Sequence, residues 1–496
     1  MKNRKLLAAD FGASSGRMVL GEWDGQRIKT TELHRFPNEP VHAAGTLYWD
    51  VLRLFHELKQ GIMKAGEFDS ISVDTWGVDF ALLDRYGALL QNPVHYRDSR
   101  TAGMMENLFA DIPKERLYEI TGNQFMEINT LYQLRAIQVH RPHLLESTDK
   151  LLMIPDFFTY LLSGTKLTEC SAASTSQLLD AASRSWSEEI IGAAGFPRSL
   201  FSEVIPSGTI AGPLLPALRE ELGVHGAQVI AGAGHDTQCA MSAAPTNHRD
   251  FAFISSGTWS LMGTELSAPI TDATAFSANM NNECGAENKV SFLKNITGLW
   301  LIQESRRQWR REGKAYSYQD LEMLARADDG PTCFVDVDDP RFAPSGDLPG
   351  RIREYCRGTG QPVPEDTGAV CRCIYRSLAL KYRKTLQQLR HCTGQSYDRL
   401  YVVGGGAKDG YLCQVTADAC GIPVQAGPAE ATVMGNLGIQ LMALGELKNL
   451  SELRSVVLAS ANTREYLPGG MDNRYEQFGK YEEQGEAYGT VTHQHT

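Results

Sequence analysis

Apolar and polar positions alternate along this chain with two periods. Short apolar runs, alternating or continuous, predict strands at Leu6–Ala9, Met18–Trp23, Ser70–Asp74, Phe80–Leu83, Gln228–Gly232, Phe251–Ile254, Trp259–Gly263 and Leu400–Val403. Apolar residues at helical spacing predict helices at Val51–Ala65, Leu131–Val139, Ala369–Leu389 and Ala429–Leu444. Both patterns recur over the whole length, which predicts an α/β fold rather than a barrel of strands only.

One arrangement occurs twice. Leu6–Ala9 runs into Asp10, then a turn of small residues (Gly12, Ala13, Ser14, Ser15, Gly16), then Arg17 and the apolar Met18-Val19-Leu20. Near mid-chain, Phe251–Ile254 runs into Ser255-Ser256-Gly257-Thr258 and then Trp259–Gly263. Both read as strand, tight turn, strand. Two such hairpins predict two similar domains facing each other. The polar, turn-rich Ala243–Asp250 is the expected boundary, giving domains over 1–245 and 246–496. The tail from about 470 is charged. A peripheral helix is expected over Asn473–Glu483, with fraying after Gly485.

Composition narrows the class. The 496 residues suffice for two or three domains, and 42% apolar with 22% charged residues is ordinary for a globular protein. A formal net charge of −11 argues against a nucleic-acid partner, which calls for excess Lys and Arg. The first apolar run stops at Asp10, too soon for a signal-peptide core, and no run approaches a membrane span; a cytoplasmic protein without membrane partner is expected. Ten scattered cysteines lack the paired spacing of a zinc site.

The first hairpin turn supplies backbone N–H groups, two hydroxyls and a guanidinium, a combination that suits an anion. Asp10 beside it suits a divalent cation such as Mg²⁺, which prefers oxygen ligands. An ordinary hairpin with a polar turn stands as the alternative. Two further glycine-rich turns follow strands, Gly232–Thr237 and Gly404–Gly410. Neither is a P-loop, and neither completes the dinucleotide fingerprint: Asp409 stands where its third glycine belongs. Asp236, after an apolar strand and Gly-x-Gly, opens a helical stretch of small residues. It is the candidate general base, with a helix N-cap as the plainer reading. Gly77 permits close backbone approach and Trp76 offers an apolar wall for a sugar face, or else a hairpin turn with a core tryptophan. Asn295, before the helical pattern from Leu299, is a polar contact or a cap. Gln303 sits on the first turns of that helix.

Taken together, these segments resemble the FGGY carbohydrate kinases of the actin-like ATPase superfamily, over nearly the whole chain. The carrying residues are DFGASSGR at Asp10–Arg17, DTWGVDF at Asp74–Phe80, YRDSRT at Tyr96–Thr101 and NTLYQLRA at Asn129–Ala136. They continue with the Gly-His-Asp-Thr turn at Gly234–Thr237, SSGTWSLMG at Ser255–Gly263, LKNITGLWL at Leu293–Leu301 and VVGGG at Val402–Gly406. The resemblance implies two domains with RNase H-like cores and the active site in the cleft between them. It implies transfer of the ATP γ-phosphate to the 1-hydroxyl of a ketose, L-rhamnulose, with Asp236 as base. Gly77, His235, Thr237 and Asn295 then hold the sugar. Ala13, Ser14, Ser15, Gly16 and Arg17 form the first phosphate loop, and Thr258, Gln303 and Gly405 the remaining ATP positions. Asp10 organises Mg²⁺ through water. A monomer or small homo-oligomer is expected. Cys356 and Cys373 match a cysteine pair of the family, expected as free thiols that pair on oxidation. A second family pair, four residues apart, is not matched: Thr416 stands four before Cys420 and Cys413 is displaced. Two other readings stay open: a kinase for L-fuculose or L-xylulose, and an ATP-dependent switch of the actin or chaperone type without sugar acceptor.

Overall fold

The computed structural model describes residues 3–248, 250–470, 477–481 and 484. Two compact units emerge. The first comprises Met1–Asn247, Glu265–Leu293 and Ala431–Ala461; the second comprises His248–Thr264, Lys294–Glu430 and Asn462–Thr496.

The first unit is built on a six-stranded sheet in the order Thr209–Pro213, Gln228–Ala231, Ser70–Thr75, Arg4–Phe11, Ser15–Trp23, Ile28–Pro37. The three strands Gln228–Ala231, Ser70–Thr75 and Arg4–Phe11 are parallel, and the outer pairings are antiparallel. Parallel strands lie between covered faces, so they carry near-continuous apolar runs. Leu6 to Ala9 are accordingly fully buried. The helix Val51–Ala65 covers one side through Val51, Leu54, Leu58 and Ile62, and Asp50 caps it by accepting the Arg53 N–H.

The second unit repeats this plan. Ala252–Ser256 pairs antiparallel with Trp259–Leu266 and parallel with Leu400–Val403, which pairs parallel with Val424–Ala426; Arg464–Tyr466 closes the edge antiparallel. The repeated hairpin in the sequence is thus the visible part of a repeated sheet topology. The strand Val290–Thr297 begins in the first unit and ends in the second.

All eight predicted strands and four predicted helices are present, two strands and one helix with the predicted bounds: Phe80–Leu83, Leu400–Val403 and Val51–Ala65. Of the two readings of Asn295, the helix cap is excluded. The residue lies within the strand Val290–Thr297, and the following helix, Trp300–Arg311, starts beyond it. Of the expected tail helix, residues 477–481 are helical; the rest of Asn473–Glu483 lies outside the described residues, as does everything after Gly485.

Ser70, Ser72 and Asp74 are polar residues on one face of a buried strand, each 0% exposed. Their period of two is met by Asn436 and Gln440, one turn apart on the helix Ala431–Ala443. Ser70 Oγ donates to Gln440 Oε1 (2.6 Å), and Asn436 Nδ2 donates to Asp74 Oδ2 (2.6 Å). Gln440 Nε2 also donates to the Leu7 carbonyl (3.1 Å) and to Asn436 Oδ1 (2.7 Å). That helix crosses Asp236–Ser242 at Gly435, where an added Cβ would stand 1.8 Å from the Cys239 carbonyl oxygen. Backbone cannot yield as a side-chain tip can, so G435A should lower unfolding stability by about 1–3 kcal/mol. G192A, in a helix where the new methyl meets nothing within 4 Å, should be neutral or stabilising by up to about 1 kcal/mol. Urea unfolding of the two variants checks the contrast.

Candidate active site

The sheet register assembles the site in the first unit. Asp10, next to last in its strand, lies opposite Asp74 of the parallel neighbour and opposite Arg17 of the antiparallel one. Arg17 Nε and Nη2 bind Asp10 Oδ2 at 2.8 and 2.7 Å. On the far side, a bridge from Thr75 to His235 and the bond from Thr75 N–H to the Gly234 carbonyl (2.8 Å) bring in the third strand end. Three carboxylates, Asp10, Asp74 and Asp236, therefore converge at the C-terminal ends of three parallel strands, where ligands of open α/β sheets bind.

The loop between the first two strands is pinned from outside. Asn38 N–H donates to the Ser14 carbonyl and Asn38 Nδ2 to the Gly12 carbonyl (2.9 Å). Gly16 is required because a Cβ there would lie 2.3 Å from the Phe36 ring. Ser14 is exposed and Ala13, Ser15 and Arg17 are half-buried, so the turn faces solvent while its strands do not.

Asp236 is the first residue of its helix; His235 holds the cap position. Asp236 keeps 30% of its side-chain surface open, against 10% for Asp10, whereas Asp74 is wholly buried. It is the acid most open to an incoming molecule. His235 lies between two carboxylates, its Nδ1 2.9 Å from Glu283 Oε2 and its Nε2 3.5 Å from Asp236 Oδ1. Burial disfavours the imidazolium, but the charge and hydrogen bond of Glu283, then the charge of Asp236, outweigh it and raise the His235 pKa to about 9. Burial pushes the Asp236 carboxyl up, the His235 cation pulls it down and Asp10 pushes it up again, leaving it at about 6. Asp74 is held well above the carboxylate range by burial and by Asp10. Its Oδ1 is buried with no partner among the described residues. Crowded carboxylates with an orphaned oxygen are the setting that a hard divalent cation relieves.

The turn carrying His235 is set by Glu169, which is 1% exposed. Its carboxylate accepts from Gly234 N–H (2.9 Å), Ser171 N–H (2.9 Å) and Ser207 Oγ (2.5 Å), and Ser171 Oγ accepts the His235 N–H (3.1 Å). Gly77 packs against Thr175, which a Cβ would approach to 2.9 Å. Val78 beside it has φ 66°, a costly conformation for a β-branched residue. Thr175 Oγ1 accepts its N–H (2.9 Å), and Thr130 donates to its carbonyl (2.5 Å). Trp76 is 6% exposed, lies 4.0 Å from Trp49 ring to ring and donates to Asp79 (2.9 Å). It is a core residue, not an open wall.

The second unit gathers the other candidates. Thr258 Oγ1 donates to Gln303 Oε1 (3.1 Å), and the Leu299 and Trp300 N–H groups bind the Gly257 and Thr258 carbonyls, tying the second hairpin turn to the start of the Trp300–Arg311 helix. Gly404 (φ 80°) and Gly406 lie against Ser256, with added Cβ atoms 2.8 Å from its carbonyl oxygen and 2.0 Å from its Oγ. Gly405, between them, is open enough that its Cβ would meet only the Ser256 carbonyl oxygen, at 3.9 Å. Thr258, Gln303 and Gly405 thus share one region, and Asn295 stands half-buried on its strand in the same unit.

Residues 6–242 match the N-terminal domain of the FGGY family of carbohydrate kinases, and residues 252–444 match its C-terminal domain. The chain belongs to the FGGY family of carbohydrate kinases. It is therefore an ATP-dependent sugar kinase. Curated relatives include proteins named rhamnulokinase from Bacteroides thetaiotaomicron (39% identical, covering 94% of this chain and 96% of that one) and Enterococcus faecalis (40%, covering 97% and 98%). Among solved structures, an FGGY-like fold is shared with a xylulose kinase from Rhodospirillum rubrum (19% identical, TM-score 0.75, 99% of both chains). A gluconate kinase from Lactobacillus acidophilus is similar in the same way (14%, TM-score 0.76, covering 99% and 98%). Among the described residues no helix is long and apolar enough to cross a membrane.

Sequence reasoning missed Glu283, Glu169, Asn436 and the depth at which Asp74 lies. Glu283 stands in Asn281-Asn282-Glu283, a run whose polarity reads as solvent-facing, yet the three are 3–5% exposed. They form a buried network in which Asn281 Nδ2 and Gln238 Nε2 both donate to Glu283, at 2.8 and 2.7 Å. Removing the Glu283 charge leaves burial to dominate at His235. E283Q should therefore lower the His235 pKa from about 9. Histidine-selective NMR titration checks this; a resonance still titrating near 9 would place the origin of the charge elsewhere.

Proposed function

We propose that the chain phosphorylates L-rhamnulose at its 1-hydroxyl, giving L-rhamnulose 1-phosphate and ADP, as the name of its curated relatives suggests. The observation that carries this reading is the near-complete coverage of several rhamnulokinases at about 40% identity. A half-open Asp236 beside a charged His235 supports it. In this reading the first unit, with residues 1–245 at its core, carries the first phosphate loop and the sugar-orienting residues other than Asn295, which belongs to the second unit. The part from 246 onward holds the second loop and the adenosine.

Asp236 accepts the hydroxyl proton as the sugar oxygen attacks the γ-phosphorus, and a carboxylate of pKa about 6 is matched to that task near neutral pH. His235, Thr237, Gly77 and Asn295 orient the sugar, and the imidazolium donates to a sugar oxygen. Ala13, Ser14, Ser15, Gly16 and Arg17 cradle the phosphates, with Thr258, Gln303 and Gly405 on the nucleotide. Phosphoryl transfer asks for positioning and charge balance rather than covalent catalysis. Mg²⁺, held through water at Asp10 with Asp74 behind it, would supply the positive charge that balances the phosphates.

D236N should keep ATP binding and lose sugar phosphorylation by roughly 10²–10⁴-fold, measured by ADP release and by nucleotide binding. Near-normal turnover would reject Asp236 as base. The base works only when deprotonated, so kcat/KM should fall as pH drops below about 6 and hold above it until His235 loses its proton near 9. Steady-state kinetics over L-rhamnulose, L-fuculose and L-xylulose test the substrate. A higher kcat/KM for either of the others, or ATP turnover indifferent to sugar, would overturn it.

A further inference from the structure

The Thr367–Thr393 helix places Cys373 beside Cys356 of the helix Leu348–Gly358 and Cys333 of the irregular segment after the helix Tyr318–Ala327. The three sulfur atoms lie within 4.8 Å of one another. All three are free thiols, at most 4% exposed, in the second unit. We propose that Cys333, Cys356 and Cys373 form a buried three-thiol site for a soft trivalent ion of the arsenite class.

The neighbourhood fixes the backbone that carries each thiol. Arg372 reaches the segment before Cys333, binding the Asp328 carboxylate (2.6 Å) and the carbonyls of Asp328 (2.8 Å), Gly330 and Pro331 (3.0 Å). The Gln361 side chain clamps the residue after Cys333, accepting the Phe334 N–H (2.8 Å) and donating to the Phe334 carbonyl (2.9 Å), while its own N–H binds the Cys356 carbonyl (2.8 Å). Ser377 Oγ donates to the Cys373 carbonyl (2.7 Å) and accepts the Val335 N–H (3.0 Å). Cys333 is therefore joined to the other two through two separate bridges. A site held in this way needs little rearrangement to bind.

Ligand type, number and charge choose the ion. Thiolates select soft ions over Mg²⁺ or Ca²⁺. Structural zinc takes four ligands, and the cluster among the described residues has three. A buried site disfavours net charge, and three thiolates cancel a trivalent ion while leaving a divalent one negative. Arsenite binding balances without redox change: As(OH)₃ and three thiols give As(SR)₃ and three waters, three As–O bonds being replaced by three As–S bonds. For sulfurs bound at about 2.3 Å, the largest mutual separation is about 4.0 Å, a closure from 4.8 Å that thiol rotation supplies.

The test uses the full chain reduced with a phosphine and treated with sodium arsenite. Intact mass should rise by one arsenic less three hydrogens, and C333S should lose this adduct at an arsenite concentration that saturates the parent. C170S, which alters the separate Cys170–Cys284 thiol contact in the first unit, should retain it. Arsenic X-ray absorption on the unmutated protein should show three sulfur neighbours and no oxygen, a readout independent of whether C333S folds. An adduct retained in C333S, one replacing only two hydrogens, or displacement of arsenite by equimolar zinc would overturn the proposal.

Discussion

The pairing of Arg4–Phe11 with Ser70–Thr75 sets two carboxylates side by side where water is scarce. Asp10 faces Asp74 because the strands are parallel and in register; a slip of one strand by one residue would put the two on opposite faces of the sheet. Like charges in a buried setting are costly, and the surrounding structure can be read as the answer to that cost. Arg17, fixed opposite Asp10 by the antiparallel register, neutralises one. Asn436 donates to the other. What remains is the Asp74 Oδ1 with no partner among the described residues, a need that the proposed Mg²⁺ would meet.

The same field shapes the reactive end of the site. Asp236 feels Asp10 on one side and the His235 cation on the other, and the balance leaves it higher than an ordinary carboxylate yet ionised near neutrality. Glu283 keeps the histidine charged and Glu169 holds the turn that carries it. Neither touches the open side of Asp236 in the bonds described, so each acts by placing another group. The chemistry is distributed over a chain of buried polar contacts in which every member has a partner that fixes it.

How much of this was legible in the sequence follows from how far each signal reaches. A strand buried on both faces announces itself in four or five consecutive apolar residues, as at Leu6–Ala9. A tight turn announces itself in its glycines and serines, so both hairpins and the strand ends bearing Asp10 and Asp236 could be read directly. Assignments resting on partners far along the chain could not. Glu283 meets His235 across 48 residues, and Asn436 meets Asp74 across 362; nothing local marks either as buried. The cap reading of Asn295 rests on the helical pattern that begins at Leu299, but the Val290–Thr297 strand continues through it. Trp76 reads either as a wall for a sugar face or as a core tryptophan; the second holds, and Trp49, which packs on it, comes from 27 positions earlier in the chain.

The helix Ala431–Ala443 completes the first unit although it is encoded after most of the second. Ser70, Asp74 and the Leu7 carbonyl wait for Gln440 and Asn436. At synthesis rates of roughly 5–20 residues per second, that interval is on the order of tens of seconds. During it, the nascent N-terminal sheet has its polar stripe uncovered. The first unit is therefore no independent piece of the nascent chain: its covering helix is made only after most of the second unit has been.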